Sequence, residues 1–258
     1  MRTLRKTVRI IKIIFWTLSA FFFSLKASRE KEKWAAVRAM TEKVSFWCRG
    51  LLKICNIELV IHGDAEKAKG ALIVSNHSGY VDILTHAAAF PIRFAPKAEL
   101  RKAPVFGFLT AMSHPVWVDR KNKMRSAECA AEFLATLEHK IPLLVYPEGT
   151  TSNGTGILPF KTGPFEPAVK GNFPILPVLT FYRVPEGEFS PGWFDDTEMT
   201  VHIWKFLGIK KIRADIYILP EIHIRAEEGM DRKVLAEKVY TLMAEKHKEL
   251  LKENSNNI

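Results

Sequence analysis

The chain predicts an α/β fold, a layered mixed sheet flanked by helices, preceded by a two-helix hairpin. Three observations carry this. From residue 57 onward, short apolar runs alternate with stretches of helical spacing. Residues 1–55 lack that alternation and place their apolar side chains at helical spacing throughout. A chain of 258 residues, 47% hydrophobic and 26% charged, is long enough for one sizeable core plus an appendage. The sequence therefore divides into a helical hairpin over 1–55 and an α/β body over 56–258. No low-complexity tract or internal repeat interrupts it.

The hairpin holds the charge. The net charge is +10, and residues 1–53 account for it, with 13 Lys or Arg against Glu30, Glu32 and Glu42. The other 205 residues carry 25 charges of each sign. A basic block of this kind addresses an anionic surface. Ile10, Ile14, Phe15, Trp16, Phe22 and Leu25, mixed into it, suit a lipid interface and not a nucleic-acid groove. The charge-free stretch over 13–25 has 13 residues. As a helix it reaches about 20 Å against a hydrocarbon core of about 30 Å, too short to span. Extending it to Val8 brings in Arg9 and Lys12, which are expected to snorkel at one end. A signal peptide would share the basic start and apolar middle, but Lys26 and Arg29 occupy the place of a cleavage site. The expectation is a monotopic anchor or shallow re-entrant helix. It joins, at 26–29, a second helix over about 30–55 with Trp34, Val37, Val44, Trp47 and Leu51 on one face.

The body then follows element by element. Strands are predicted over 57–61, closing at Gly63-Asp64, and over 71–75, a buried run feeding the next loop. A helix over 81–90, a strand over 92–95 and a helix over 104–112 come next. A strand over 115–118 precedes a helix over 124–140. Residues 143–146 read as a strand, 147–163 as a long loop and 175–181 as another strand. Further strands are expected near 200–206 and 214–224, before a charged amphipathic helix over 231–253. Strand–helix alternation favours parallel pairing, with the late strands free to be antiparallel.

Two stretches bear chemistry. Asn76-His77-Ser78-Gly79-Tyr80-Val81-Asp82 puts an imidazole and a carboxylate in one tight segment. Five positions apart on a helix, they would point about 140° from each other. They meet only if His77 lies before a helix and Asp82 inside it, which the capping types Ser75, Asn76 and Ser78 and the permissive Gly79 allow. A carboxylate on one ring nitrogen fixes the tautomer and leaves the other nitrogen as a base. The residues alone leave open a capping loop with an incidental histidine. The second stretch, Pro147-Glu148-Gly149-Thr150, ends the apolar run 141–146 in a turn. Cys48, Cys55 and Cys129 have no metal-ligand spacing and read as structural thiols. No metal site and no Gly-x-Ser-x-Gly elbow is found.

Together these stretches resemble the glycerolipid acyltransferase family. His77 to Asp82 resembles its Asn-His-x4-Asp motif, and Pro115-Val116-Trp117-Val118-Asp119-Arg120 its second block. Tyr146-Pro147-Glu148-Gly149-Thr150 resembles the Phe-Pro-Glu-Gly-Thr block, and Pro174-Ile175-Leu176-Pro177-Val178 the fourth. Phe94-Ala95-Pro96-Lys97-Ala98-Glu99-Leu100 and Pro159-Phe160-Lys161-Thr162-Gly163-Pro164-Phe165 resemble two further segments. The resemblance, over roughly residues 57–185, implies His77 as catalytic base and Asp82 as its orienting partner. It places Glu148, Gly149 and Thr150 at the acceptor site, with Arg120, Lys97 and Lys161 toward a phosphate. It implies acyl transfer from a thioester carrier, acyl-CoA or acyl carrier protein, to a lysophospholipid hydroxyl. No cofactor beyond that co-substrate is expected, and the place is the cytoplasmic face of the inner membrane.

One departure matters. Thr151 stands where members using lysophosphatidic acid carry a phosphate-binding arginine, and the Glu-Gly-Thr-Thr form is more similar to members that take larger head groups, such as choline or ethanolamine, which puts the acceptor in question. A lyso-ornithine lipid is the alternative acceptor. A catalytically silent membrane scaffold and a thioester hydrolase are the readings from other classes.

Overall fold

The computed structural model describes residues 2–24, 32–119, 123–224 and 230–255. Helices α1 (Arg2–Ser24) and α2 (Lys33–Cys55) lead into β1 (Ile57–His62). Then come β2 (Leu72–Ser75), α3 (Tyr80–Ala89), β3 (Arg93–Phe94), α4 (Pro104–Met112), α5 (Lys123–Glu138) and β4 (Leu143–Val145). The chain ends through α6 (Glu166–Gly171), β5 (Ile175–Arg183), α7 (Met199–Phe206), β6 (Ile212–Ile218) and α8 (Arg232–Ser255). The expected hairpin joint at 26–29 lies outside the described residues.

The strands form one mixed sheet in the order β1-β6-β5-β2-β4-β3, parallel throughout except for the β5–β6 pair. β2 is buried at all four positions, as a strand covered on both faces must be. Its side chains alternate between two layers. Leu72 and Val74 pack with Phe133, Leu137, Phe165, Leu235 and Val239 from α5, α8 and the turn before α6. Ile73 joins Phe90, Ile92, Leu176 and Ile216 on the other side. Beside that second layer, α2, α3 and the turn after α7 meet β1 and β6 through Cys48, Leu52, Val81, Leu207 and Ala214. Each such apolar side chain contributes roughly 1.5–3 kcal/mol by leaving water.

Three expectations change. Residues 200–206, expected as a strand, lie in α7. There His202 and Phe206 share the buried face at i, i+4 spacing, and Val201 and Trp204 face out. The His202 ring meets Tyr80 Oη at 3.0 Å and the Gly192 carbonyl at 2.7 Å, contacts that a strand there would break. Residues 115–118 run beside the end of β3 but form only a single bridge, Lys97 to Val118. The strand expected over 214–224 is β6, which starts and stops earlier, and Ile222 makes an isolated bridge to Ile175.

α1 lies against the body. Arg9, expected to snorkel outward, is buried and donates to the Leu207 and Ile209 carbonyls at 3.0 and 2.6 Å. It thereby satisfies carbonyls just past the end of α7. Arg5 donates to the Gly208 carbonyl at 2.6 Å, and Trp16 to the Trp47 carbonyl at 2.9 Å. The opposite face of α1 exposes Leu4, Val8, Ile11, Phe15 and Leu18. Among the described residues, no helix is long and apolar enough to cross a membrane.

Candidate active site

Strands β2, β4 and β3 are neighbours and parallel, so the loops at their C-terminal ends open along one edge of the sheet. The His77 loop follows β2, the Glu148 turn follows β4, and Lys97 follows β3. Sheet order thus joins motifs some 70 residues apart in sequence.

Asp82 is the third residue of α3, and its carboxylate turns back over the helix start. Oδ2 accepts from the Ser78 N–H at 2.6 Å and the Gly79 N–H at 3.0 Å, the placement that a helix N-terminus favours for an anion. The same oxygen lies 2.8 Å from His77 Nδ1. A carboxylate only accepts, so Nδ1 carries the hydrogen and Nε2 keeps a free lone pair. Asp82 is 1% exposed while the His77 side chain keeps 18%, so the pair has a closed end and an open one. Burial pushes the Asp82 carboxyl up. The hydrogen bond and charge of His77, with His86 and Tyr182 adding to them, outweigh that and hold it below the ordinary carboxylate range. It stays ionised beside the imidazole.

The backbone of the loop is fully engaged. His77 N–H donates to Glu148 Oε1 at 2.8 Å, and the His77 carbonyl accepts from Ser152 N–H at 2.8 Å. The Ser78 carbonyl accepts from Trp193 N–H at 2.7 Å. Asn76 exchanges two hydrogen bonds with the backbone of Thr180 on β5, at 2.8 and 3.0 Å. Gly79 has ordinary extended backbone, φ 163°. What demands glycine there is Trp193, whose backbone nitrogen would lie 2.8 Å from a Cβ. The imidazole of His77 stacks on the Tyr146 ring, centroids 3.9 Å apart.

Glu148 is buried, and its second oxygen accepts from Leu158 N–H at 3.0 Å. Both of its oxygens therefore hold backbone, one on each side of the loop, which makes it a strut between loops. Burial pushes its carboxyl up, against the two N–H bonds and the neighbouring His77. Gly149 adopts φ 74°, the left-handed region that favours glycine. A Cβ there would also fall 2.5 Å from Lys161 Nζ, so the Lys161 ammonium lies over this turn. Thr150, Lys97 and Lys161 are exposed along the same edge. Arg120 lies outside the described residues. Thr151 precedes Ser152, which binds the His77 carbonyl, so position 151 borders the loop.

Sequence reasoning missed three supports. Tyr182, near the end of β5, donates its hydroxyl to Asp82 Oδ1 at 2.7 Å. Tyr146 supplies the ring beneath His77 and sets its hydroxyl 3.0 Å from His86 Nδ1. His86 lies fully buried one turn after Asp82, with Nδ1 2.7 Å from the Asp82 carbonyl and Nε2 2.9 Å from Thr180 Oγ1. Burial pushes its imidazole down to about 4, so it stays neutral. The i, i+4 spacing of Asp82 and His86 was the one signal in the sequence for any of these.

The chain is similar to known proteins in sequence and in fold. A family model described as Acyltransferase matches residues 56–180. A 1-acyl-sn-glycerol-3-phosphate acyltransferase from Neisseria meningitidis serogroup B is 28% identical over 195 residues, 74% of this chain and 75% of that protein. A lyso-ornithine lipid O-acyltransferase from Brucella abortus is 27% identical over 206 residues, 74% of this chain and 76% of that protein. The crystal structure of the 1-acyl-sn-glycerophosphate acyltransferase PlsC from Thermotoga maritima superposes with a TM-score of 0.70 at 20% identity, covering 97% of this chain and 98% of that one. At that identity the likeness speaks for the fold.

Proposed function

The chain belongs to the acyltransferase family and is an O-acyltransferase, and from that premise we propose that it moves an acyl group from a thioester carrier to the free hydroxyl of a lysophospholipid. The observation that carries the reading is the His77–Asp82 pair, closed at the carboxylate and open at Nε2. The acceptor hydroxyl gives its proton to His77 Nε2 as its oxygen attacks the thioester carbonyl. Asp82, ionised, steadies the imidazolium through the Nδ1 hydrogen. As the C–S bond breaks, the departing sulfur takes the proton from Nε2, which leaves an ester, a thiol and the starting imidazole. Lys97, Lys161 and Arg120 supply cations for the acceptor phosphate, and CoA or an acyl carrier protein brings the acyl group.

The membrane end of the reading rests on α1. Its basic side is fastened to the body and its outer stripe, Leu4 to Leu18, is apolar, the pattern of a helix lying in a bilayer interface. The hairpin over 1–55 then holds the body over 56–258 at the cytoplasmic surface, where lysolipids reach the site from the bilayer.

A second acceptor reading, a lyso-ornithine lipid, is favoured by Thr151 in place of an arginine and by the name of the Brucella relative. One experiment separates them: purified protein, one acyl-CoA and a mixture of lysolipids, with products read by mass spectrometry. A diacyl product from a lysophospholipid is expected. Consumption of the lyso-ornithine lipid alone transfers the assignment to the second reading, and free acid released without acceptor overturns both.

A further inference from the structure

We propose that Tyr182 is a positioning residue for the acyl-transfer reaction, holding the second carboxylate oxygen of Asp82 so that the carboxylate keeps its orientation toward His77 Nδ1 and does not hold the imidazolium so tightly that its proton fails to reach the leaving sulfur. The proposal rests on the reading of His77 as general base. β5 is nine residues long and passes its four-residue neighbour β2, pairing with it as far as Ser75 and Val178. Tyr182 lies four residues beyond that pairing, beside the start of α3, and its hydroxyl reaches Asp82 Oδ1 at 2.7 Å.

Counting hydrogens fixes the directions. The carboxylate can only accept, so the single Tyr182 hydrogen goes to Asp82. Thr85 Oγ1 lies 2.9 Å from the Tyr182 oxygen and 3.2 Å from the Val81 and Asp82 carbonyls, so its one hydrogen is shared among three acceptors. Tyr182 thus donates to Oδ1, and on the other oxygen Asp82 receives Ser78 N–H, Gly79 N–H and His77 Nδ1–H. Four donors meet this one buried carboxylate, three on Oδ2 and Tyr182 alone on Oδ1. A carboxylate so engaged is a poor proton acceptor, which is what an orienting partner needs while the imidazole is charged. Burial, with Asp82 next to it, pushes the Tyr182 phenol well above its ordinary range, so the hydrogen stays on Tyr182. With its hydroxyl engaged by Asp82 and Thr85, Tyr182 acts through Asp82.

Tyr182→Phe keeps the ring and removes only the hydroxyl. With Oδ1 unpartnered, the carboxylate pulls harder on Nδ1–H and retains a proton on the imidazole to higher pH. The expected result is a kcat about tenfold lower, KM for both substrates within about twofold, and the acid limb of the kcat/KM profile moved to higher pH. In an Asp82→Asn background Tyr182→Phe should cost nothing more, where a purely structural role would cost the same in both backgrounds. A Tyr182→Phe enzyme with a wild-type pH profile and kcat overturns the proposal. Near-wild-type turnover in His77→Ala would instead remove the general-base reading beneath it, so the two failures are told apart.

Discussion

Two stretches of the same sheet edge are built in opposite ways. In the loop after β2, His77 and Ser78 have both backbone groups hydrogen-bonded, Gly79 donates to Asp82, and Asp82 receives donors on both oxygens. Along the ends of β4 and β3, Thr150, Lys161 and Lys97 project exposed side chains over turns that the backbone sets. The difference teaches where variation is tolerated. A proton-transfer pair works only at fixed geometry, and here fixity comes from saturating its polar groups with neighbours on β4, β5 and the loop before α7. In the proposed reading, head-group recognition draws on these surface side chains, whose exchange should leave the pair undisturbed.

The largest break in that contrast should come from Glu148→Ala. It removes the acceptor of two part-buried N–H groups, those of His77 and Leu158, at a cost of at most about 1–3 kcal/mol each. Thermal unfolding should move to lower temperature. Acyl-transfer kcat should fall about 10²-fold as the loop shifts, with KM for the lysolipid nearly unchanged. A raised KM at unchanged kcat would mean that Glu148 touches the acceptor, and the contrast would dissolve. A smaller effect, confined to the exposed side, is expected from Thr151→Arg. The added guanidinium beside the loop should raise kcat/KM for a phosphate-monoester acceptor about tenfold over a larger head group. Its melting temperature should stay at the wild-type value. Equal gains for both acceptors would show that position 151 does not read the head group.

The order of elements and the two motif loops were legible because each is local: apolar runs for β1, β2 and β5, capping types ahead of α3, a Pro-Glu-Gly turn after β4. Residues 200–206 misled because Val201, Ile203, Trp204 and Phe206 are β-branched or aromatic, types that suit a strand. The choice of helix was made by the tertiary partners Tyr80, Gly192 and Arg9. Arg9 itself was misread because a buried guanidinium next to a helix C-terminus needs knowledge of where α7 ends. Within the site, the spacing allowed His77 and Asp82 to meet across a helix start, and the family resemblance singled them out as a pair. Glu148 as a strut and Tyr182 as a donor could not be read this way, since both depend on β2 lying between β4 and β5, and strand order is a long-range property.

The central claim, that the acceptor's proton goes to an imidazole oriented by Asp82, is tested most directly by the turnover of His77→Ala. The variant should be assayed with saturating lysophospholipid and acyl-CoA and its fold checked by its melting temperature. The account predicts a kcat lower by about 10² to 10⁴ in a protein that melts as the wild type does. A folded variant that transfers acyl groups at close to the wild-type rate would contradict it.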